Sequence, residues 1–114
     1  MITNNTTNTI ISSQEIICTS FLSQMWGLMF RKKQNLIMIF KEEKHLSLHN
    51  FLVFYPIDVI VIDKDMNVAE IKENFRPFTF WRSSKKGKYV TELGKDRLKG
   101  KVNPGNKILI KNLQ

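Results

Sequence analysis

The stretch LHNFLVFYPIDVIVID, residues 48–63, decides the fold of this chain. It places His49 and Asp58 among the most apolar residues of the sequence, where an ionisable group is costly to bury unless something pairs with it. Pro56 divides the stretch. Because proline cannot donate to a β-ladder, it predicts a strand start, a bulge or an edge at that point. Residues 57–62 then have the continuous β-branched composition of a buried strand.

Outward from this stretch, short apolar segments alternate with turn signals. The segments that predict strands are residues 10–18, 36–40, 57–62, 68–72, 89–93 and 107–111. The predicted turns are residues 41–44, 63–67 and 103–106. Residues 83–88 have the composition of a flexible basic loop. Short helices are predicted between Ser20 and Gly27 and at residues 94–100. This pattern is typical of a mainly β, compact barrel-like or sandwich-like domain with one or two short helices.

Length and composition predict one soluble domain. A chain of 114 residues can bury roughly two thirds of the surface that its unfolded form exposes. Residues 1–9 are polar and predict a disordered tail, which leaves residues 10–114 as the domain. Cys18 is the single cysteine and no secretory signal is recognisable, so we expect a cytoplasmic protein. No apolar run approaches the roughly 20 residues of a membrane helix, so we expect no membrane partner.

The net charge of +8 is concentrated in the C-terminal third of the chain. Residues 76–114 hold eleven lysines and arginines against two acids, or +9, whereas residues 1–75 hold seven against eight, or −1. Such asymmetry favours an anionic partner, for example nucleic acid, an acidic protein or a phosphorylated ligand. The alternative is a charged face that serves only solubility.

Aromatic and cationic residues interleave in part of this basic third. Single-stranded nucleic acid is held by that combination, because cations track phosphates while rings stack on bases. The candidate binding residues are Trp81, Arg82, Lys85, Lys86, Lys88 and Tyr89, with Phe78 and Phe80 beside them. The alternative is that the rings alternate into the core while the lysines remain in solvent. No base-reading motif is present.

Six motifs occur in the order expected of one known family. They are WGLMFR at 26–31, LHNF at 48–51, YPIDV at 55–59, IDKD at 62–65, VAEI at 68–71 and YVTEL at 89–93. Over about residues 10–111 the chain resembles the uncharacterised family UPF0127, also called DUF192, and within it the archaeal-type cytoplasmic members. The positions taken as family motifs are Gly27, Leu28, Met29, His49, Pro56, Asp58 and Asp63. The resemblance implies a compact, mostly β fold and no particular reaction.

The chain departs from the family pattern at two places. The family tends to carry Met-Arg before the aromatic-Pro-Ile-Asp segment, where this chain has Val53 and Phe54. A guanidinium that could pair with Asp58 or hold an anion is therefore missing there. The family turn usually reads Asp-x-Asp-Gly, but Met66 stands where glycine would supply a positive φ. We expect Asn67 to adopt that conformation, which asparagine tolerates better than most residues.

Asp58 has two interpretations. In the first, its carboxylate accepts backbone N–H bonds where a strand begins after Pro56. In the second, it is an acid/base or ligand-anchoring group beside His49, and these two residues are the candidate catalytic pair. The sequence favours the first, because no nucleophile or further partner is evident.

Two patterns resemble metal sites, and neither is complete. His45 and His49 are four residues apart, which on a strand spans roughly 13 Å and prevents them from sharing one ion. The pattern DxDxN at residues 63–67 resembles the start of a calcium loop, but Val68 and Asn74 stand where glycine and glutamate belong. We therefore expect a hairpin turn there, with no metal and no cofactor.

Three functions remain open from the sequence. The preferred one is a non-enzymatic module that binds an anionic ligand, with single-stranded nucleic acid as the first candidate. The second is a small hydrolase or lyase that uses His49 and Asp58 as acid/base groups. The third is a scaffold or accessory protein. The sequence does not indicate an oligomeric state.

Overall fold

Eight β-strands arranged in two sheets form the described part of the chain. The computed structural model describes residues 1–18, 34–49, 55–77 and 79–111. The strands are β1 Ile2–Asn4, β2 Thr9–Ser12, β3 Ile16–Cys18, β4 Asn35–His49, β5 Ile57–Ile62, β6 Val68–Phe75, β7 Phe80–Leu93 and β8 Ile108–Ile110. In these ranges no helix is long and apolar enough to cross a membrane.

The larger sheet has five strands in the order β3-β4-β7-β5-β6. Its β3–β4 pair is parallel, and its other pairs are antiparallel. The long strand β7 is central, since it pairs with β4 on one side and with β5 on the other. All six residues of β5 are buried, which agrees with the continuous apolar run in the sequence.

The smaller sheet has three strands in the order β2-β1-β8, all antiparallel. Between the two sheets lies a set of buried apolar side chains that we name the back cluster. Its members are Ile2, Ile11, Ile37, Ile60, Ile62, Val68, Leu93, Leu98, Val102, Ile108 and Ile110. The two sheets therefore form a sandwich around this cluster, as the alternation of side chains along each strand requires.

The opposite face of the five-stranded sheet carries a second set of buried side chains, the front cluster. Its members are Leu36, Met38, Leu46, Ile57, Val59, Val61, Phe75 and Val90. Tyr55 and Trp81, both half-buried, pack against it. The five-stranded sheet is thus apolar on both faces, which explains why so many of the chain's hydrophobic residues lie in β4, β5 and β7.

The N-terminal residues belong to the sandwich rather than to the disordered tail that their polarity predicts. Ile2 is fully buried and pairs with both Ser12 and Ile110. Asn4 is also buried, and its amide donates to the carbonyl of Lys101 and the side chain of Asn106, both at 2.9 Å. A buried isoleucine and a buried, hydrogen-bonded amide hold this segment in the sandwich, although its composition is polar.

Three other segments also differ from their predicted secondary structure. Residues 41–44 and 83–88 are not a turn and a loop, because they lie within β4 and β7. Ser83 is buried there, and its hydroxyl accepts from the N–H of Leu46 and donates to the carbonyl of Lys85 beside a register shift. Residues 94–100 form turns and bends instead of a helix.

The predicted mainly β fold is confirmed, but the barrel alternative is wrong. Both sheets are open, with β3 and β6 at the edges of the larger sheet and β2 and β8 at the edges of the smaller one. A barrel would need the edge strands to pair with each other. The helix predicted between Ser20 and Gly27 lies outside the described residues.

Candidate functional site

Asp58 is the second residue of β5 and lies two residues after Pro56. Its Oδ1 accepts hydrogen bonds from the N–H of Asn74 at 2.9 Å and from Nη2 of Arg97 at 2.8 Å. Its Oδ2 accepts from Nε of Arg97 at 3.0 Å and from the N–H of Leu98 at 2.8 Å. The side chain of Asp58 is 2% exposed, so these four donors replace the water that a carboxylate needs.

Arg97 supplies the positive charge that the sequence around Asp58 lacks. Its guanidinium contacts both carboxylate oxygens, and its Nη1 also donates to the carbonyl of Pro56 at 3.4 Å. A guanidinium bound through two nitrogens is well suited to a buried carboxylate, because its fork matches the two oxygens. The family arginine replaced by Phe54 is thus not needed for this pairing, since another arginine occupies the role from the segment after β7.

This arrangement suits a structural carboxylate better than an acid/base group. Burial alone would raise the pKa of Asp58, but the bonds from Arg97 and from the N–H groups of Asn74 and Leu98 outweigh burial, and the net pKa lies below its usual value. A general base needs an oxygen free to take a proton near working pH. Both oxygens of Asp58 already accept two hydrogen bonds each.

The structure does not pair His49 with Asp58 in the sheet. On β7, Asp58 lies opposite Leu93 at one end of the strand, whereas His49 of β4 lies opposite Phe80 at the other end. The imidazole of His49 lies outside the described side chains. The catalytic pairing of these two residues therefore stays a prediction.

A strongly basic segment runs along the paired strands β4 and β7. We name residues 41–47 of β4 and 82–88 of β7 the basic ribbon. Their backbones pair from Lys44 opposite Gly87 to Ser47 opposite Arg82, with register shifts before Lys44 and between His45 and Ser47. The ribbon carries six cations against the two acids Glu42 and Glu43. Its cations are Lys41, Lys44, Arg82, Lys85, Lys86 and Lys88.

The cations of the basic ribbon are largely in solvent. All but the half-buried Lys88 are exposed. Salt bridges among the described residues join only the N-terminus to Glu15 and Arg97 to Asp58, so none involves the ribbon. The ammonium of Lys88 donates to the carbonyl of Lys41 at 3.1 Å, and that of Lys44 lies 4.6 Å from the ring centre of Phe40. Their charges are available to an external anion.

The aromatic residues predicted to accompany these cations lie in different environments. Trp81 packs on the front cluster and meets Phe75 edge-on, with 6.5 Å between ring centres. Tyr89 packs on the back cluster, on the other face of the sheet. Phe80, by contrast, is 55% exposed. Of the rings described here, Phe80 therefore offers the most surface for stacking, whereas Trp81 and Tyr89 largely serve the core, and Phe78 lies outside the described residues.

The DxDxN pattern at residues 63–67 forms the hairpin turn between β5 and β6. Oδ1 of Asp63 accepts from the N–H groups of Asp65 at 2.9 Å and Asn67 at 3.0 Å, which closes the turn on itself. Met66 adopts a φ of 68°, so the expectation that Asn67 would take the left-handed conformation is wrong. Across the part of the chain with placed residues, no group of three or more His, Cys, Asp or Glu could hold a metal ion.

Glu92 is a candidate that the sequence analysis did not single out. It lies on central strand β7 with Leu36 of β4 and Val59 of β5 as its cross-strand partners, so it points to the front face. Burial raises its pKa to about 7. The signal was present in the sequence, because strict alternation from the inward Val90 places Glu92 on the same face.

Comparison with known proteins places this two-sheet domain in a recognised group. The family model DUF192, described as Uncharacterized ACR, matches residues 2–110. A UPF0127 protein of Pyrococcus horikoshii is 30% identical over 113 residues, which cover 95% of this chain and 96% of the relative. A UPF0127 protein of Thermococcus sibiricus is 30% identical over 96 residues, or 81% of this chain and 62% of that protein. The chain belongs to the DUF192 family, also named UPF0127, which confirms the resemblance seen in its motifs.

Two solved structures share the fold. One is from Sinorhizobium meliloti 1021 and is described as a proposed transcription regulator; it has a TM-score of 0.71 and 21% identity, covering 83% of this chain and 79% of that one. The other, a protein of unknown function from Novosphingobium aromaticivorans, has the same TM-score and identity, with coverage of 84% and 74%. At this identity the likeness shows the fold and carries no function.

Proposed function

We propose that this protein is a non-enzymatic binding module whose basic ribbon holds an anionic ligand, with single-stranded nucleic acid as the first candidate. The observation that carries the proposal is the set of six cations on two paired strands. None of these six cations forms an ion pair with another described residue. Cations held on paired strands can meet successive phosphates without first breaking internal ion pairs. The exposed Phe80 next to Arg82 adds a surface on which a base can stack.

Nucleic acid is preferred over a small anion because the charge is extended. The ribbon cations are distributed along both paired strands, from Lys41 to Lys44 on β4 and from Arg82 to Lys88 on β7, rather than gathered at one point. A single phosphate would contact only one or two of them, whereas a chain of phosphates could contact most. We place the protein in the cytoplasm, where its single cysteine, Cys18, suits a reducing environment.

The test compares two triple variants that remove equal charge. In the first, Lys85, Lys86 and Lys88 on the ribbon become Gln. In the second, three exposed lysines elsewhere, Lys95, Lys99 and Lys111, become Gln. Binding of fluorescein-labelled dT12 is followed by fluorescence anisotropy between 25 and 200 mM salt. The proposal predicts a slope of log K against log salt that is shallower by up to about 2 in the ribbon variant, since each phosphate contact on a single strand contributes about 0.7.

The matched variant decides between a site and overall charge. If both triple variants weaken binding equally, the ribbon has no special role and binding reflects only net charge. If the unaltered protein shows no saturable binding at 25 mM salt, the nucleic-acid proposal is wrong, and an accessory role in which charge serves solubility becomes the better account.

A further inference from the structure

A cross-strand row on the front face of the five-stranded sheet contains one acidic residue between apolar ones, with a lysine at its far end. In register, the row reads Ile16 of β3, Leu36 of β4, Glu92 of β7, Val59 of β5 and Lys72 of β6. Leu36 and Val59, which flank Glu92, are at most 2% exposed. A carboxyl group on the central strand of a sheet is therefore bordered on both sides by aliphatic side chains.

Within the described residues, Glu92 has neither an ion pair nor a hydrogen-bond partner from the facing strands. The nearest cation in its row is Lys72, two strands away with Val59 between, which at about 4.8 Å per strand separates the two backbones by roughly 10 Å. Lys72 forms no salt bridge with it. Among the described residues, the ionised form of Glu92 therefore has no neighbouring positive charge of the kind that a carboxylate in apolar surroundings requires.

Tyr55 brings a hydroxyl group to the same place. It packs on the front cluster and lies over Gly94, two residues beyond Glu92, where an added Cβ would come within 2.9 Å of its ring and 3.3 Å of its hydroxyl. Burial raises the pKa of Tyr55, the N–H of Gln34 that donates to the hydroxyl lowers it, and the charge of Glu92 raises it further. The carboxyl and the phenol are therefore neighbours, and both residues are half-buried.

We propose that Glu92 and Tyr55 form a second binding site, on the front face of the sheet, for a ligand that joins a protonated amine to a short apolar chain. The ammonium would supply the positive charge that Glu92 lacks, and the phenolic oxygen would accept a second N–H bond. The apolar part of the ligand would lie against the half-buried ring of Tyr55, because Leu36 and Val59 are already covered. This site is separate from the basic ribbon and takes a ligand of opposite charge.

The experiment uses n-butylamine as the probe and NMR amide shifts of Glu92, Leu36 and Val59 as the readout. The amine is protonated at pH 8.5 and at pH 5.5, whereas a carboxyl with a pKa of about 7 is about 97% ionised at the first and about 3% at the second. Saturable shifts at pH 8.5 should weaken about thirtyfold at pH 5.5. Carboxylates with ordinary pKa values stay ionised at both, so an exposed one would show no such loss.

Three controls keep the result specific. Glu92→Gln, which keeps the shape and removes the charge, should weaken binding at least tenfold, and Tyr55→Phe should weaken it several-fold. Glu42→Gln, at an exposed position of β4, should leave it unchanged. The uncharged n-butanol should not bind. The proposal is overturned if 50 mM n-butylamine causes no saturable shift, if Glu92→Gln binds as well as the unaltered protein, or if binding is equal at the two pH values.

Discussion

Replacing Asp58 by asparagine tests the ion pair that joins β5 to the segment after β7. The carboxylate accepts four hydrogen bonds, two on each oxygen. Asparagine keeps one acceptor oxygen, and its NH2 group must face two N–H donors whichever way the amide is turned. Two hydrogen bonds to a charged group are lost, at about 1.5–3 kcal/mol each, so Asp58→Asn should lower the free energy of unfolding by about 3–6 kcal/mol.

The measurement is urea unfolding at 25 °C and pH 7, followed by circular dichroism, beside Asp65→Asn as the control. Asp65 is exposed in the β5–β6 turn, and its substitution should cost less than about 0.5 kcal/mol. The folded-state pKa of Asp58 is lowered, so its stabilising contribution is present above the ordinary value of 3.8 and is lost as pH falls through the folded-state pKa. A loss below about 1 kcal/mol for Asp58→Asn would refute the reasoning.

Three further predictions concern strand β7 and its end. Thr91 is buried, and its hydroxyl has no hydrogen-bond partner among the described residues, so Thr91→Val should raise the free energy of unfolding by about 1 kcal/mol in urea titrations. Gly94→Ala places a Cβ 2.5 Å from the carbonyl oxygen of Gln34 and should cost about 1–3 kcal/mol in the same assay. The folded-state pKa of Glu92 is raised from 4.5 to about 7, so its contribution to the free energy of unfolding is complete below pH 4.5 and falls by about 3 kcal/mol as pH rises to 7. Glu92→Gln should remove this fall when stability is measured against pH.

Local sequence signals predicted the β5–β6 hairpin well. A continuous β-branched run followed by a polar turn with Asp63 as its hydrogen-bond acceptor is complete within about a dozen residues, so nothing distant can override it. The closing strand was also predicted, from β-branched residues that follow the turn signal at residues 103–106, and it appears as Ile108–Ile110, although its partner β1 is distant in the sequence.

Elements that depend on distant pairing were not predictable in this way. The charged residues 41–44 have the composition of a turn, yet they continue β4, because β7 pairs with Ile39 before them and again from Lys44 onward, and a register shift accommodates the residues between. The N-terminal segment is polar, yet Ile2 pairs with Ile110 at the other end of the chain. Propensity describes a segment alone, whereas these strands are stabilised by backbone bonds and burial that a remote partner supplies.

The charged partner of Asp58 was likewise not predictable from local sequence. The sequence indicated that a buried carboxylate must have a partner and favoured backbone N–H groups, which Asn74 and Leu98 supply. It gave no reason to choose Arg97 among the eleven basic residues of the C-terminal third. That choice depends on how the segment after β7 turns back over β5, which is a property of the tertiary fold.

The central claim, that the basic ribbon is the ligand surface, is tested most directly by mapping dT12 onto the protein by ¹⁵N NMR at 25 mM salt. The account predicts saturable amide shifts concentrated in residues 41–47 and 82–88, together with Phe80, and their progressive loss as salt is raised to 200 mM. Shifts of equal size around Lys95, Lys99 and Lys111, or none on the ribbon while binding is saturable, would contradict it.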